Sequence, residues 1–116
     1  INLQQSKVII FGATFKENCP DLRNSKVLDV ISELLDCKIS VEVFDPWIKK
    51  IDLPSDSNIK LVSELKEKCY DAAILAVPHQ VFLEMDHSDF KKICKKNSIV
   101  FDLKSVLPQN ASDIRL

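Results

Sequence analysis

Four stretches of the chain are apolar enough to form strands, and polar or helix-like stretches separate them. Lys7-Val8-Ile9-Ile10-Phe11 is a continuous apolar run that stops at Gly12. A strand without alternation is buried on both faces, as in a parallel sheet. A polar stretch from Ala13 to Asn24 follows, and Asn24 or Ser25 stands where a helix cap is needed. Val27, Leu28, Ile31, Leu34 and Leu35 then recur on one helical face. Ile39 to Phe44 alternates as a second strand, stopped by Asp45-Pro46. Trp47 to Asn58 reads as loop and Ser63 to Lys68 as a short helical piece. Asp71 to Val77 is a third buried strand before Pro78. A helical stretch lies within Val81 to Lys96, strongest over Ser88 to Lys95. Ser98 to Leu103 is a fourth strand, and the tail from Lys104 is polar and weakly structured. Strands alternating with helices predict an α/β domain with a mainly parallel sheet.

Composition narrows the options. The chain has 116 residues, which argues for a single core over residues 1–116. It carries one glycine, where about eight would be usual at a frequency of about 7%. A G-x-G-x-x-G fingerprint and a phosphate-binding G-x-x-x-x-G-K-S/T loop each need two or more, so both are excluded. The net charge is −1, from 16 basic and 17 acidic residues, which gives no sign of a nucleic-acid or acidic membrane partner. No apolar run approaches the length of a membrane span. Cys19, Cys37, Cys69 and Cys94 form no C-x-x-C pair, so reduced thiols in a cytoplasmic protein are expected. With only His79 and His87 to add, no metal site is expected. The chain begins at Ile1 without a basic-then-apolar leader, and a fragment or processed product is the expectation.

In open parallel sheets, ligands bind outside the carboxyl ends of the strands. Three segments project there: Gly12 to Ser25, Asp45-Pro46-Trp47, and Asp102 to Pro108. The first is about a dozen residues, longer than an ordinary βα connection, and long loops at that edge tend to carry function. The topology brings Lys16, Arg23 and Lys104 to this rim. Arg23 precedes a helix N-terminus, where free N–H groups already favour an anion and a guanidinium can grip phosphate. Phe15 beside Lys16 sets an apolar wall next to a point charge, a pairing suited to a sugar phosphate. Against this stands the ordinary fate of a surface cation, which is only to be solvated. No carboxylate pair has a defensible acid–base spacing, and Cys19 has no histidine placed beside it to make it a nucleophile. No catalytic residue is therefore assigned.

The segment Gly12-Ala13-Thr14-Phe15-Lys16-Glu17-Asn18-Cys19-Pro20-Asp21-Leu22-Arg23-Asn24-Ser25 resembles the opening of the C-terminal, UDP-binding domain of the UDP-glucose/GDP-mannose dehydrogenase family. The family pattern is G-x-x-F-K, a short spacer, then D-x-R-x-S. Val43-Phe44-Asp45-Pro46 and Phe101-Asp102-Leu103-Lys104 resemble later signatures of the same domain, in the same order. The Asn18-to-Asn24 wording and Ala76-Val77-Pro78-His79 look most like the branch that oxidises UDP-N-acetylhexosamines for capsule or O-antigen synthesis.

The resemblance implies a three-layer Rossmann-like fold. It also implies a two-step oxidation of the sugar C6 alcohol to a carboxylate, with two NAD consumed per sugar through a thiohemiacetal and a thioester. The family's catalytic cysteine lies in a glycine-containing motif that this chain lacks, so Cys19 does not inherit that role. Phe15, Lys16 and Lys104 would bind the UDP-sugar, and Arg23 would reach the NAD pyrophosphate across a cleft. NAD would be held mainly by an N-terminal domain outside these residues. That domain, a central helix and further copies of the full-length protein would be the partners. Ser105 replaces the Gly or Arg that many members have after the basic turn, which weakens the role of Lys104. The isolated domain is expected to be inactive and to bind UDP weakly. Two other readings compete. A flavodoxin-like or receiver-like module would need clustered acids after strand one and an Asp ending strand three. A structural interaction domain would use the loop cations for protein contacts.

Overall fold

The structure is a computed structural model that describes residues 6–14, 18, 25–49, 59–65, 69–102 and 114–115. Among the described residues, six strands form one sheet: β1 (Lys7–Phe11), β2 (Ser40–Phe44), β3 (Lys60–Leu61), β4 (Tyr70–Leu75), β5 (Cys94–Asp102) and β6 (Ile114–Arg115). Helix α1 (Lys26–Asp36) follows β1, and α2 (Gln80–Leu83) and α3 (His87–Ile93) follow β4. The strand order is β3-β2-β1-β4-β5-β6, and every pairing is parallel. The chain runs outward from β1 through β2 to β3, then returns to lay β4 on the other side of β1. This is the doubly wound order of dinucleotide-binding folds, with its topological switch point between β1 and β4. In flavodoxin-like and receiver-like sheets β3 lies beside β1. Here β4 holds that place, so that reading falls.

The unbroken apolar run of β1 has a direct cause. Val8 and Ile10 face one core with Val41, Val43 and the α1 residues Val27 and Ile31. Ile9 and Phe11 face the other, with Phe82 of α2 and Phe90 and Ile93 of α3. The sheet is therefore sandwiched between helices, giving the three layers expected. Phe11 anchors the second core through edge-on contacts with Phe82 and Phe90, at centroid distances of 5.3 and 5.2 Å.

Several elements differ from the sequence expectations. The third expected strand stops at Leu75, because Ala76 and Val77 turn across the end of β1, where both N–H groups donate to the Phe11 carbonyl. The expected helix within Val81 to Lys96 is two helices. Asp86 accepts from the Asp89 N–H and Asp89 returns the bond to the Asp86 N–H, a reciprocal cap that starts α3 afresh. Helix α3 then passes straight into β5 at Cys94, four residues before the expected strand start. Strand β3 was not anticipated, and Ser63 to Leu65 are not helical. Ile114–Arg115 form β6 within the expected weakly structured tail.

With one glycine in the chain, α1 ends on another residue. Lys38 takes the left-handed conformation at φ 64°, its N–H donates to the Leu35 carbonyl, and the Ile39 N–H reaches back to Leu34. That is the usual glycine-terminated helix end built on a lysine.

Candidate functional site

Gly12 closes β1 at the switch point. Its φ of +91° suits glycine, and an added Cβ would stand 2.6 Å from the Val77 Cβ and 2.8 Å from the Val77 carbonyl oxygen. The single glycine stands where the backbones leaving β1 and β4 approach closely, beside Val77. The Gly12 N–H donates to the Phe44 carbonyl, so the end of β2 is tied to the same point.

Beyond Gly12 the long βα loop begins, and its two ends are fastened together. Ser25 is the N-cap residue of α1, but its hydroxyl caps nothing. It donates to the Ala13 carbonyl at 2.6 Å, and both residues are buried. The backbone leaving β1 at Ala13 and the backbone entering α1 at Ser25 are thus tied at one place.

A buried polar cluster lies beside the start of this connection, at Ala13 and Thr14. The Asp45 side chain, just past β2, is fully buried. Its Oδ2 accepts from the Ala13 N–H at 2.8 Å and stands 3.0 Å from His79 Nε2, while Oδ1 accepts from the Trp47 N–H at 2.8 Å. His79, between β4 and α2, is fully buried, and Thr14 Oγ1 lies 3.3 Å from its Nε2. His79 Nδ1 accepts from the Asn18 N–H at 2.8 Å. An acceptor at Nδ1 and a carboxylate at Nε2 require the neutral ring with its proton on Nε2. Asn18, in the left-handed region at φ 55°, also accepts from the Gln80 N–H through its side chain at 2.9 Å. Four segments, from the ends of β1, β2 and β4 and the start of α2, meet in one hydrogen-bonded unit. The Trp47 ring, 42% exposed, stands 6.0 Å from the His79 ring and gives the edge an aromatic surface. A recess of about 290 Å³ opens beside it, between Phe44–Pro46 and Leu61–Ser63.

Of the residues singled out from the sequence, Phe15, Lys16, Cys19, Arg23 and Lys104 lie outside the described residues. Their described neighbours, Thr14, Asn18, Ser25 and Asp102, stand after β1, at the start of α1 and at the carboxyl end of β5. Sequence reasoning placed Asp45 at this edge but gave it no partner, and it quoted Thr14, Asn18 and His79 within motifs without giving any of them a role. The available signal was positional. Asp45 and His79 each stand within four residues of a strand's carboxyl end.

Asp45 also tests whether a dinucleotide belongs here. In dinucleotide-binding folds an acidic residue some way past the glycine loop takes the ribose hydroxyls. Asp45 stands at the end of β2, but both its oxygens are committed to Ala13, Trp47 and His79, and its side chain is fully buried. The described residues do not fit a dinucleotide at this edge.

A doubly wound parallel sheet and a switch point at which the two ends of the β1–α1 connection are tied together define an α/β domain of the nucleotide-binding type, without the dinucleotide variant's acidic contact. The chain belongs to the UDP-glucose/GDP-mannose dehydrogenase family, and residues 9–109 match that family's UDP binding domain. It is 45% identical over all 116 residues to a UDP-N-acetyl-D-glucosamine 6-dehydrogenase of Salmonella typhi and 41% identical, also over its full length, to one of Pseudomonas aeruginosa. It spans 27% and 28% of those two proteins, about a quarter of the length of each. A UDP-D-ManNAc dehydrogenase from Pyrococcus horikoshii shares the fold, with a TM-score of 0.73 and 19% identity over 99% of this chain and 26% of that one. Among the described residues, no helix is long and apolar enough to cross a membrane.

Proposed function

We propose that residues 1–116 are the C-terminal, UDP-sugar-binding domain of an NAD-dependent UDP-N-acetylhexosamine 6-dehydrogenase, which converts the C6 alcohol to a carboxylate. The observation that carries this reading is the fastened loop at the switch point. Its ends and inner anchor are fixed by Ser25, His79 and Asp45, and its sequence supplies Phe15, Lys16 and Arg23. The names of the two relatives above support the N-acetylhexosamine branch.

Phe15 packs on the nucleotide sugar, Lys16 and Lys104 neutralise its oxygens, and Arg23 faces the NAD pyrophosphate across the interdomain cleft. NAD supplies the oxidising equivalents. The poor fit of a dinucleotide at Asp45 supports assigning NAD to an N-terminal domain outside this chain. The full-length cytoplasmic protein works as a homo-oligomer. The test is steady-state kinetics of the full-length enzyme carrying Lys16→Ala. Losing one charge-assisted contact should raise the KM for the UDP-sugar about tenfold and lower turnover. Unchanged kinetics would remove Lys16 from the site.

A further inference from the structure

His79 is fully buried, yet what it holds is loop backbone. Its Nδ1 accepts from the N–H of Asn18, an exposed residue, at 2.8 Å. An N–H near the surface can be satisfied by water at little cost. A buried imidazole committed to it therefore does more than remove an orphan donor. Asp45 completes the arrangement. Its carboxylate at 3.0 Å from Nε2 keeps the ring proton there and leaves Nδ1 free to accept. The ring is held in place by Trp47 at 6.0 Å and Phe82 at 5.5 Å. Asn18 is fixed a second time by the Gln80 N–H, and Thr14 stands 3.3 Å from the same imidazole. Thr14 and Asn18 bracket Phe15-Lys16-Glu17 in the sequence, so one histidine contacts the residues on both sides of the segment assigned to the substrate.

We infer that His79 is a positioning residue for UDP-sugar binding. Through an Asp45–His79–Asn18 chain it fixes the backbone at Asn18, which with Thr14 flanks Phe15 and Lys16 in the sequence, without touching the ligand. This inference rests on the UDP-sugar-binding reading of the loop. It assigns the buried histidine to substrate affinity, and the cofactor side should be indifferent to it.

Two substitutions divide the imidazole. In His79→Asn the amide oxygen takes the place of Nδ1 and can still accept from Asn18. In His79→Gln the amide reaches the Nε2 place and serves Asp45 alone. The full-length protein should be compared by hydrogen exchange over residues 13–18 without ligand, by KM for UDP-N-acetylglucosamine and NAD, and by melting temperature. His79→Gln should speed exchange at Asn18 about tenfold or more and raise the sugar KM about tenfold, with the NAD KM within about twofold. His79→Asn should restore protection and bring the sugar KM back to within about threefold of the parent. Unchanged exchange in His79→Gln overturns the inference, as does a parallel rise of both KM values that follows the loss of folded protein. Should His79→Gln fail to fold, hydrogen exchange at the Asn18 amide of the parent protein, without ligand, takes its place. Protection of about tenfold or more over the unstructured rate then supports the inference, and an unprotected Asn18 amide overturns it. If the parent enzyme does not oxidise UDP-N-acetylhexosamines, the functional reading fails by itself, and the exchange measurement still decides the role of His79.

Discussion

The two ends of the sheet both carry buried polar groups but use them differently. At the carboxyl end, Asp45 and His79 are closed off from water and bind backbone N–H groups of Ala13, Asn18 and Trp47. Toward the amino end, Glu42 accepts from the Tyr70 phenol at 2.7 Å and pairs with Lys7 at 3.0 Å and Lys60 at 3.9 Å. Those lysines are 36% and 70% exposed and line an open groove with Lys38. The first network joins loops to one another. The second joins side chains on four successive strands, β3, β2, β1 and β4, that backbone pairing already aligns. Changes at the carboxyl end should therefore cost both stability and substrate binding, while changes at the amino end should cost a little stability and no binding.

The largest effect should come from Gly12→Ala. The new Cβ meets the Cβ and carbonyl of Val77 at a positive φ, and neither side can yield cheaply. We expect a loss of about 3 kcal/mol or more, read by urea unfolding. Asp45→Asn comes next. The amide NH2 must face either Ala13 N–H and His79 Nε2–H or the Trp47 N–H, so a donor meets a donor in both orientations. A cost of about 2–3 kcal/mol and a raised KM for the UDP-sugar are expected.

Glu42 gives a pH test at the other end. Burial pushes its pKa up, but the Tyr70 phenol, Lys7 and Lys60 outweigh that and hold it below the usual 4.5. A carboxyl depressed by folding contributes stability that is present above its unfolded pKa and disappears as the pH falls through the folded one. Unfolding free energies from pH 7 to pH 3 should show that loss. Glu42→Gln should flatten the curve below about pH 5 and leave the sugar KM unchanged. Lys38→Gly should stabilise by about 0.5–1 kcal/mol, because it relieves a left-handed lysine at the end of α1. Smallest of all, Lys95→Ala removes an exposed 3.3 Å pair with Asp71 and should change stability by less than about 0.5 kcal/mol.

The sequence made the sheet legible wherever burial was two-sided. β1 was plain because each of its faces meets a different core. Strands β3 and β6 have two residues each, too few to show any period. The break between α2 and α3 was written in Asp86 and Asp89, an acidic cap pair within a stretch read as a single helix. The candidate loop was legible from its length and from the F-K and R-x-S wording. Its supports were not, because they are non-local. His79 lies 61 residues from Asn18, and Asp45 lies 32 from Ala13. No local pattern marks a histidine whose partners come from two other strand ends, and only the strand order brings them together.

The most direct measurement is a crystal structure of the full-length protein with its UDP-sugar. The expected result is a diphosphate outside the carboxyl ends of β1 and β4, within hydrogen-bonding reach of Lys16, and the Asn18 N–H still on His79. A UDP-sugar seated in the Lys7, Lys38 and Lys60 groove, or one making no contact with residues 12–25, would contradict it.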